Sequence, residues 1–209
     1  MKFNNYLSLK ITGFLVFVFI LQVLFPEITD LFVLESSDVF TRPWILVTSI
    51  FLHGGLSHLL LNGFALALFG SLLEQIIGSK RFLFVFFVSG LFASFFSSFF
   101  YDSALGASGA IFGVLGTLTV LRPVMTVWVS YMPMPMWVAA IVWALQDIFG
   151  IFIPDNIANF AHLGGLVLGL VIGFYFRGEQ EKRPTVRKKS DLMLTKEEID
   201  GWERGHFGV

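Results

Sequence analysis

The sequence contains no cysteine, which excludes disulfides, thiol nucleophiles and cysteine-ligated metals together. It has little charge: 14% of its 209 residues are Asp, Glu, Lys or Arg, against about 25% in soluble domains. The net charge of −1 offers nothing to nucleic acid. There is no H-E-x-x-H pair for zinc, and no pair of aspartates within apolar runs that could face each other. What the chain has in excess is apolar surface, with 56% hydrophobic residues, 26 phenylalanines and a mean hydropathy of +0.78. That is the composition of a membrane protein. At about 20 apolar residues per spanning helix, the length allows about six spans with short loops and leaves no room for a second globular domain.

The apolar runs and their breaks set the organisation. The first run, about Leu9 to Phe25, follows Lys2 and Lys10 and stops before Pro26. Its basic flank is that of a signal peptide, but no A-x-A cleavage site follows, so it reads as an uncleaved helix. Glu27 to Pro43 carries Glu27, Asp30, Glu35 and Asp38 and reads as a loop. Trp44 to Leu52 is too short, at about 1.5 Å per residue, to cross a core of about 30 Å; it reads as an interfacial or partly inserted segment. The second span runs from Ser57 to Ile77, with Ser79-Lys80-Arg81 at its exit, and the third from Phe82 to Phe100. The fourth, Ser108 to Leu121, is also short, so one of its ends begins below the membrane surface. Arg122-Pro123 anchors one end, which leaves the Gly106 end submerged, and the loop Tyr101 to Ala107 is expected to line a wet cavity there. The fifth span, Met136 to Phe149, follows the breaker Met132-Pro133-Met134-Pro135, and the sixth runs from about Ile157 to Phe176.

Six spans with both termini inside put every lysine and arginine except Arg42 on the inner side, as the positive-inside rule requires. Five or seven spans would move the tail or several inner charges across. The expected organisation is a cytoplasmic N-terminus over residues 1–8, an all-α six-helix membrane domain over 9–176, and a polar cytoplasmic tail over 177–209. Within the tail, Thr195-Lys196-Glu197-Glu198 has the form of a capping box, so Thr195 to Arg204 is a candidate short helix.

Three short constellations fall at one level of this bundle. The fourth helix opens with Gly106-Ala107-Ser108-Gly109-Ala110-Ile111-Phe112-Gly113. Alone, G-x-S-G reads as an N-cap serine with packing glycines. The sixth carries Ala161-His162-Leu163-Gly164-Gly165, and a histidine inside an apolar span is costly and calls for an interior partner. Its bland alternative is a bond to a backbone carbonyl. Small stripes at Gly109, Gly113 and Gly116 and at Gly165, Gly169 and Gly173 would let the two backbones approach closely enough for Ser108 to reach His162. On the second helix, His58 and Asn62 are four apart and share a face; they read either as a polar clasp or as two donors for an oxyanion. Taken together, the three make a nucleophile, a base and oxyanion donors. Asp147, near the outer end of helix five, and Asp155, in the loop after it, read as solvated or snorkelled carboxylates, which leaves a Ser/His dyad. His53 reads as a loop stabiliser, and His206 lies in the tail.

With these residues the chain resembles the rhomboid family of intramembrane serine proteases in its basic six-helix form. The resemblance covers about Arg42 to Phe176 and rests on Arg42-Pro43-Trp44, on His53 and His58-x-x-x-Asn62 after a glycine pair, on Gly106-x-Ser108-Gly109-x-x-Phe112, and on Ala161-His162-x-Gly164-Gly165. It implies a catalytic dyad of Ser108 and His162 and an oxyanion hole of the Ser108 N–H with the His58 and Asn62 side chains. Gly106 and Phe112 would be supporting residues, with Phe112 packed on the His162 ring, and Arg42 and Trp44 would belong to an outer loop structure. It also implies transmembrane protein substrates cut near the membrane surface, no cofactor or metal, and a multi-pass protein of a prokaryotic cell membrane with its site toward the outer side. Phe112 departs from the tyrosine often found in the family, losing a hydroxyl and keeping the ring. The rival reading is a non-catalytic rhomboid-like scaffold that binds transmembrane helices; such proteins usually lack the serine or the histidine, and both are present here. A transporter would call for internal repeats or charges at mid-membrane, and the sequence has neither.

Overall fold

In the computed structural model, residues 6–129, 131–153, 157–182 and 206 are described. The chain divides into two units, Met1–Arg177 and Gly178–Val209, and everything that bears on the candidate site lies in the first. The candidate tail helix Thr195 to Arg204 and Asp155 fall outside the described residues.

The first unit is built from helices whose ends follow local chemistry. Helix α1, Leu7–Leu24, ends just before Pro26. Contrary to the loop expected over Glu27 to Pro43, α2 forms at Glu27–Phe32. Its acids Glu27 and Asp30 lie in the first turn, where the helix dipole favours negative charge, so residues that read as loop markers are helix starters. A two-residue strand β1, Leu34–Glu35, follows and pairs antiparallel with β2, Ser103–Ala104. The apolar run too short to span becomes α3, Ile45–Thr48, and a 3-10 turn, Ser49–Phe51, with Ile45 and Ile50 buried and Trp44 exposed.

Helices α4, Leu56–Ala65, and α5, Ser71–Ile77, are joined by a π turn over Leu66–Gly70 into one rod. Gly78, at φ +82°, ends the rod and starts α6, Ser79–Ser97. The short α7, Ser108–Leu121, is buried on nearly every face and forms the axis of the bundle. Strands β3, Thr126–Val129, and β4, Met132–Pro135, make an antiparallel hairpin where a plain breaker was expected. Pro133 and Pro135 alternate along β4, so their missing N–H groups fall on its outer edge, and the next N–H, of Met136, reaches the Met125 carbonyl at 2.8 Å. Helices α8, Met136–Gly150, and α9, Asn159–Lys182, complete the unit.

Among the described residues, four helical stretches are long and apolar enough to cross a membrane: Leu7–Leu24, Leu56–Ile77, Ser79–Ser97 and Asn159–Glu179. Helices α7 and α8 are apolar but shorter. The interior holds Leu15, Leu66, Phe82, Phe86, Val114, Leu118 and Met136, while large apolar side chains such as Leu61, Phe64, Val167 and Phe174 are well exposed. An exposed apolar belt of this extent is incompatible with water and fits lipid. The protein is a predominantly helical, all-α membrane protein.

At the end of the rod remote from α4's start, one carboxylate ties three elements. The buried Glu74 accepts from the N–H groups of Leu7 and Ser8 at 2.9 and 3.0 Å and from the Ser79 hydroxyl at 2.6 Å. It therefore caps the open N-terminus of α1 and holds the first turn of α6. Glu74→Ala is expected to lower stability by on the order of 2–3 kcal/mol, because two amide donors and a hydroxyl lose a charged acceptor. Thermal unfolding in detergent reads this, and Glu74→Gln, which keeps one acceptor oxygen, should lose less.

Candidate active site

The site is made by helix starts. Helices α7 and α9 run in the same direction, in contact at glycine: a Cβ on Gly165 would strike the Gly109 carbonyl, and one on Gly169 would strike the Gly113 carbonyl. The Thr117 hydroxyl donates across the same seam to the Gly169 carbonyl at 3.0 Å. On its other side α7 is equally close to α6, where a Cβ on Gly109 would lie 2.5 Å from Ala93 Cβ and one on Gly113 would overlap Ser89. Only glycine permits this spacing, and with it a serine reaches a histidine. Ser108 Oγ lies 2.7 Å from His162 Nε2.

The His162 ring is held by two further contacts, and the head of the helix that carries it by a third set. Phe112, one turn after Ser108, stacks on it with centroids 4.4 Å apart and planes 6° from parallel. The head of α9 is pinned by the loop after α6: the Phe160 N–H donates to the Tyr101 hydroxyl at 3.2 Å, and Phe100 stacks on Phe160 at 3.8 Å. On the side away from Ser108, His162 Nδ1 lies 2.8 Å from Asp147 Oδ1. Asp147 was expected to be solvated or snorkelled, and the structure differs. Its side chain is only 8% exposed, beside a His162 side chain 13% exposed, and Oδ2 is buried without a partner among the described residues. The signal that reveals it is periodicity: the buried residues of α8 are Met136, Ala139, Ala140, Asp147 and Gly150, one helical stripe on which Asp147 falls in register. The position near a helix end suggested water, but the face decides burial.

The start of α4 stands opposite. Gly106 has φ +123°, a left-handed conformation that suits glycine, and a Cβ there would meet His58 Nε2 at 2.8 Å and Ser108 Oγ at 3.8 Å. The His58 ring and the Ser108 hydroxyl thus lie within 4 Å of one point. The Gly54 N–H donates to His58 Nδ1 at 3.4 Å, so the neutral ring carries its proton on Nε2, the atom that faces this point. The buried Asn62 donates from Nδ2 to the His58 carbonyl at 2.9 Å. A carbonyl can only accept, which fixes the amide's orientation.

His53 is buried behind His58, edge to face with centroids 5.0 Å apart. Desolvation first, and the His58 ring second, hold its pKa down at about 4, so it stays neutral at ordinary pH. Its backbone is clamped by Gln22 of α1, which accepts from the His53 N–H at 3.0 Å and donates to the His53 carbonyl at 3.4 Å. Sequence reading missed Gln22, a lone amide inside an apolar run. Arg42 is paired with Asp38 at 2.5 Å, away from these groups.

Beside Ser108 lies a small recess lined in part by Ser49, Ser94, Ser97, Ala104 and Gly106, with room for on the order of one water molecule. The loop expected to be wet does border it through Ala104, Leu105 and Gly106, but Ala107 is completely buried. No cluster of three His, Cys, Asp or Glu able to hold a metal occurs among the described residues.

Residues 41–179 match the Rhomboid domain family. RHOMBOID-like protein 1 of Arabidopsis thaliana is 36% identical over 135 residues, which is 64% of this chain and 34% of that protein. A Bacillus subtilis protein named "Putative rhomboid protease YdcA" is 32% identical over 144 residues, 67% of this chain and 70% of that protein. "Rhomboid protein 1, mitochondrial" of Saccharomyces cerevisiae is 31% identical over 163 residues, 73% of this chain and 47% of that protein. The chain spans less than half the length of the plant and yeast relatives it matches.

The glycine seam generates a test of the geometry. Gly165→Ala should cost about 1–3 kcal/mol by overpacking, read as a lower thermal midpoint, and, should Ser108 act as a nucleophile, slow its labelling by a fluorophosphonate as the helices part. Gly13→Ala, where a Cβ meets nothing within 4 Å, should leave the labelling unchanged.

Proposed function

The chain belongs to the rhomboid family, and from that premise we propose that it is an intramembrane serine protease that hydrolyses transmembrane protein substrates with Ser108 and His162. The observation that carries the reading is the 2.7 Å contact between Ser108 Oγ and His162 Nε2, the reach a nucleophile and its base require.

In this mechanism Ser108 Oγ attacks the scissile carbonyl carbon while its proton passes to His162 Nε2. Negative charge develops on the carbonyl oxygen, and three donors meet it: the Ser108 backbone N–H, His58 Nε2–H and the second amide hydrogen of Asn62. His162 then gives its proton to the departing amine, leaving an acyl-serine. A water deprotonated by the same Nε2 attacks the ester, and collapse of that adduct returns the proton to Ser108. The recess beside Ser108 is a route by which the water arrives. No step calls for a metal or cofactor.

The reading extends to placement. Six helices cross the membrane with both termini cytoplasmic, which the distribution of lysine and arginine supports. The site then lies toward the outer face, and residues 9–176 form the catalytic bundle, with 177–209 a solvated tail.

The test is cleavage of a panel of single-span substrates by the purified protein. Ser108→Ala and His162→Ala should each abolish cleavage, and the double variant should be no worse, because the pair acts as a unit. Full cleavage by either folded variant would remove the mechanism, and a wild type that binds these helices without Ser108-dependent cleavage would favour the scaffold. Asn62→Ala or His58→Ala should reduce turnover by up to about 10²-fold to 10³-fold while the backbone donor remains. Wild-type turnover when both are replaced would make them a packing clasp.

A further inference from the structure

Asp147 carries a buried carboxylate that the mechanism above does not use. Its single polar partner among the described residues is His162 Nδ1, at 2.8 Å, and its other oxygen has none. A buried carboxylate with one hydrogen bond is costly. Its place adds to the cost, since Asp147 lies in the last turn of α8, where the helix dipole disfavours negative charge, and His162 lies in the first turn of α9, where it disfavours positive charge. Each site is poor for a lone ion, and the two meet at hydrogen-bond distance. We propose that Asp147 is a positioning residue for His162, holding the imidazole in the tautomer that can act as a base; the kinetic part of this rests on the protease reading above.

The chemistry follows from what each atom can do. A carboxylate only accepts, so the proton of the neutral ring sits on Nδ1 and the Nε2 lone pair faces Ser108. When Nε2 takes the serine proton the ring becomes a cation, and Asp147 stabilises it across the Nδ1–H bond without itself being protonated. Among the described residues, Ser108 and Phe112 on α7 touch the ring, and His58 on α4 lies near enough to interact with its charge. Without Asp147, nothing in that set keeps the proton off Nε2. A protonated Asp147 would instead donate to Nδ1 and place the ring proton on Nε2, so the two states differ in an observable.

The chain has four histidines, which makes ¹⁵N-histidine labelling tractable, and the His162 signal is identified by its loss in His162→Ala. The wild type should show a protonated Nδ1 and a bare Nε2. In Asp147→Leu the Nε2–H tautomer should appear, and kcat should fall by about 10²-fold with KM within about twofold, short of the roughly 10⁴-fold known for a triad locked in the wrong tautomer. Asp147→Asn should lose less, about 10-fold, because no partner among the described residues fixes the second oxygen of this side chain and the new amide can turn a carbonyl toward Nδ1–H. Should Asp147→Leu fail to fold, the smaller Asp147→Ala, which also offers Nδ1–H no acceptor, carries both measurements, and a wild-type kcat there together with an unchanged tautomer would overturn the proposal. So would an Nε2–H tautomer in the wild type, or a loss in Asp147→Leu that vanishes once turnover is expressed per folded molecule. Full turnover in Asp147→Leu while Ser108→Ala is inactive sinks this inference alone, whereas absence of Ser108-dependent cleavage in the wild type sinks the protease reading and leaves the tautomer measurement standing.

Discussion

The seam between α7 and α9 is the constraint on which the site depends. A serine side chain reaches little beyond its own backbone, so a hydrogen bond to a ring on a neighbouring helix requires the two helices to lie almost in contact. Within lipid there is no hydrophobic drive between helices, and close association comes from packing and interhelical hydrogen bonds. Gly109, Gly113, Gly165 and Gly169 supply the packing, and Thr117 with the Gly169 carbonyl supplies the bond. The short, enclosed α7 follows from the same seam: a helix pressed this closely between α6 and α9 has little surface left for lipid.

Polar groups are gathered at the two ends of the bundle and serve opposite purposes. At one end Glu74 has three donors and acts as a rivet between α1, α5 and α6. At the other the groups are left incompletely satisfied: Asn62 Oδ1, Asp147 Oδ2 and both His53 nitrogens have no partner among the described residues. A saturated cluster stabilises a fold, whereas open valences near Ser108 are what the proposed function would use to bind another molecule. Gln22 holds the backbone of His53 and Tyr101 the start of α9 at that end.

Much of this was legible in the sequence because the membrane makes polar residues conspicuous. A histidine, a serine between glycines and a His-x-x-x-Asn pair stand out in apolar runs, and the glycine repeats announced the close approach that the structure contains. The boundaries of α7 and the start of α8 also followed from residue type. What was misread depended on tertiary direction. The acids at Glu27 and Asp30 suggested a loop because charge was taken as a sign of water, though at a helix start it stabilises the helix. Asp147 was assigned to water by its nearness to a helix end, though the stripe from Met136 to Gly150 turns it inward. Met132 to Pro135 looked like a break, and it is a strand because alternate prolines leave one edge intact.

The separation of Ser108 and His162 along the chain, 54 positions, has a consequence for biogenesis. Ser108 emerges from the ribosome well before His162, which lies on the last apolar helix of the described bundle. Until α9 has entered the membrane and zipped along α7, the Ser108 hydroxyl lacks the His162 imidazole, and the ring near it is that of His58. On the proposed function, insertion order alone would hold the nascent protein inert toward neighbouring membrane segments until its last apolar helix is in place.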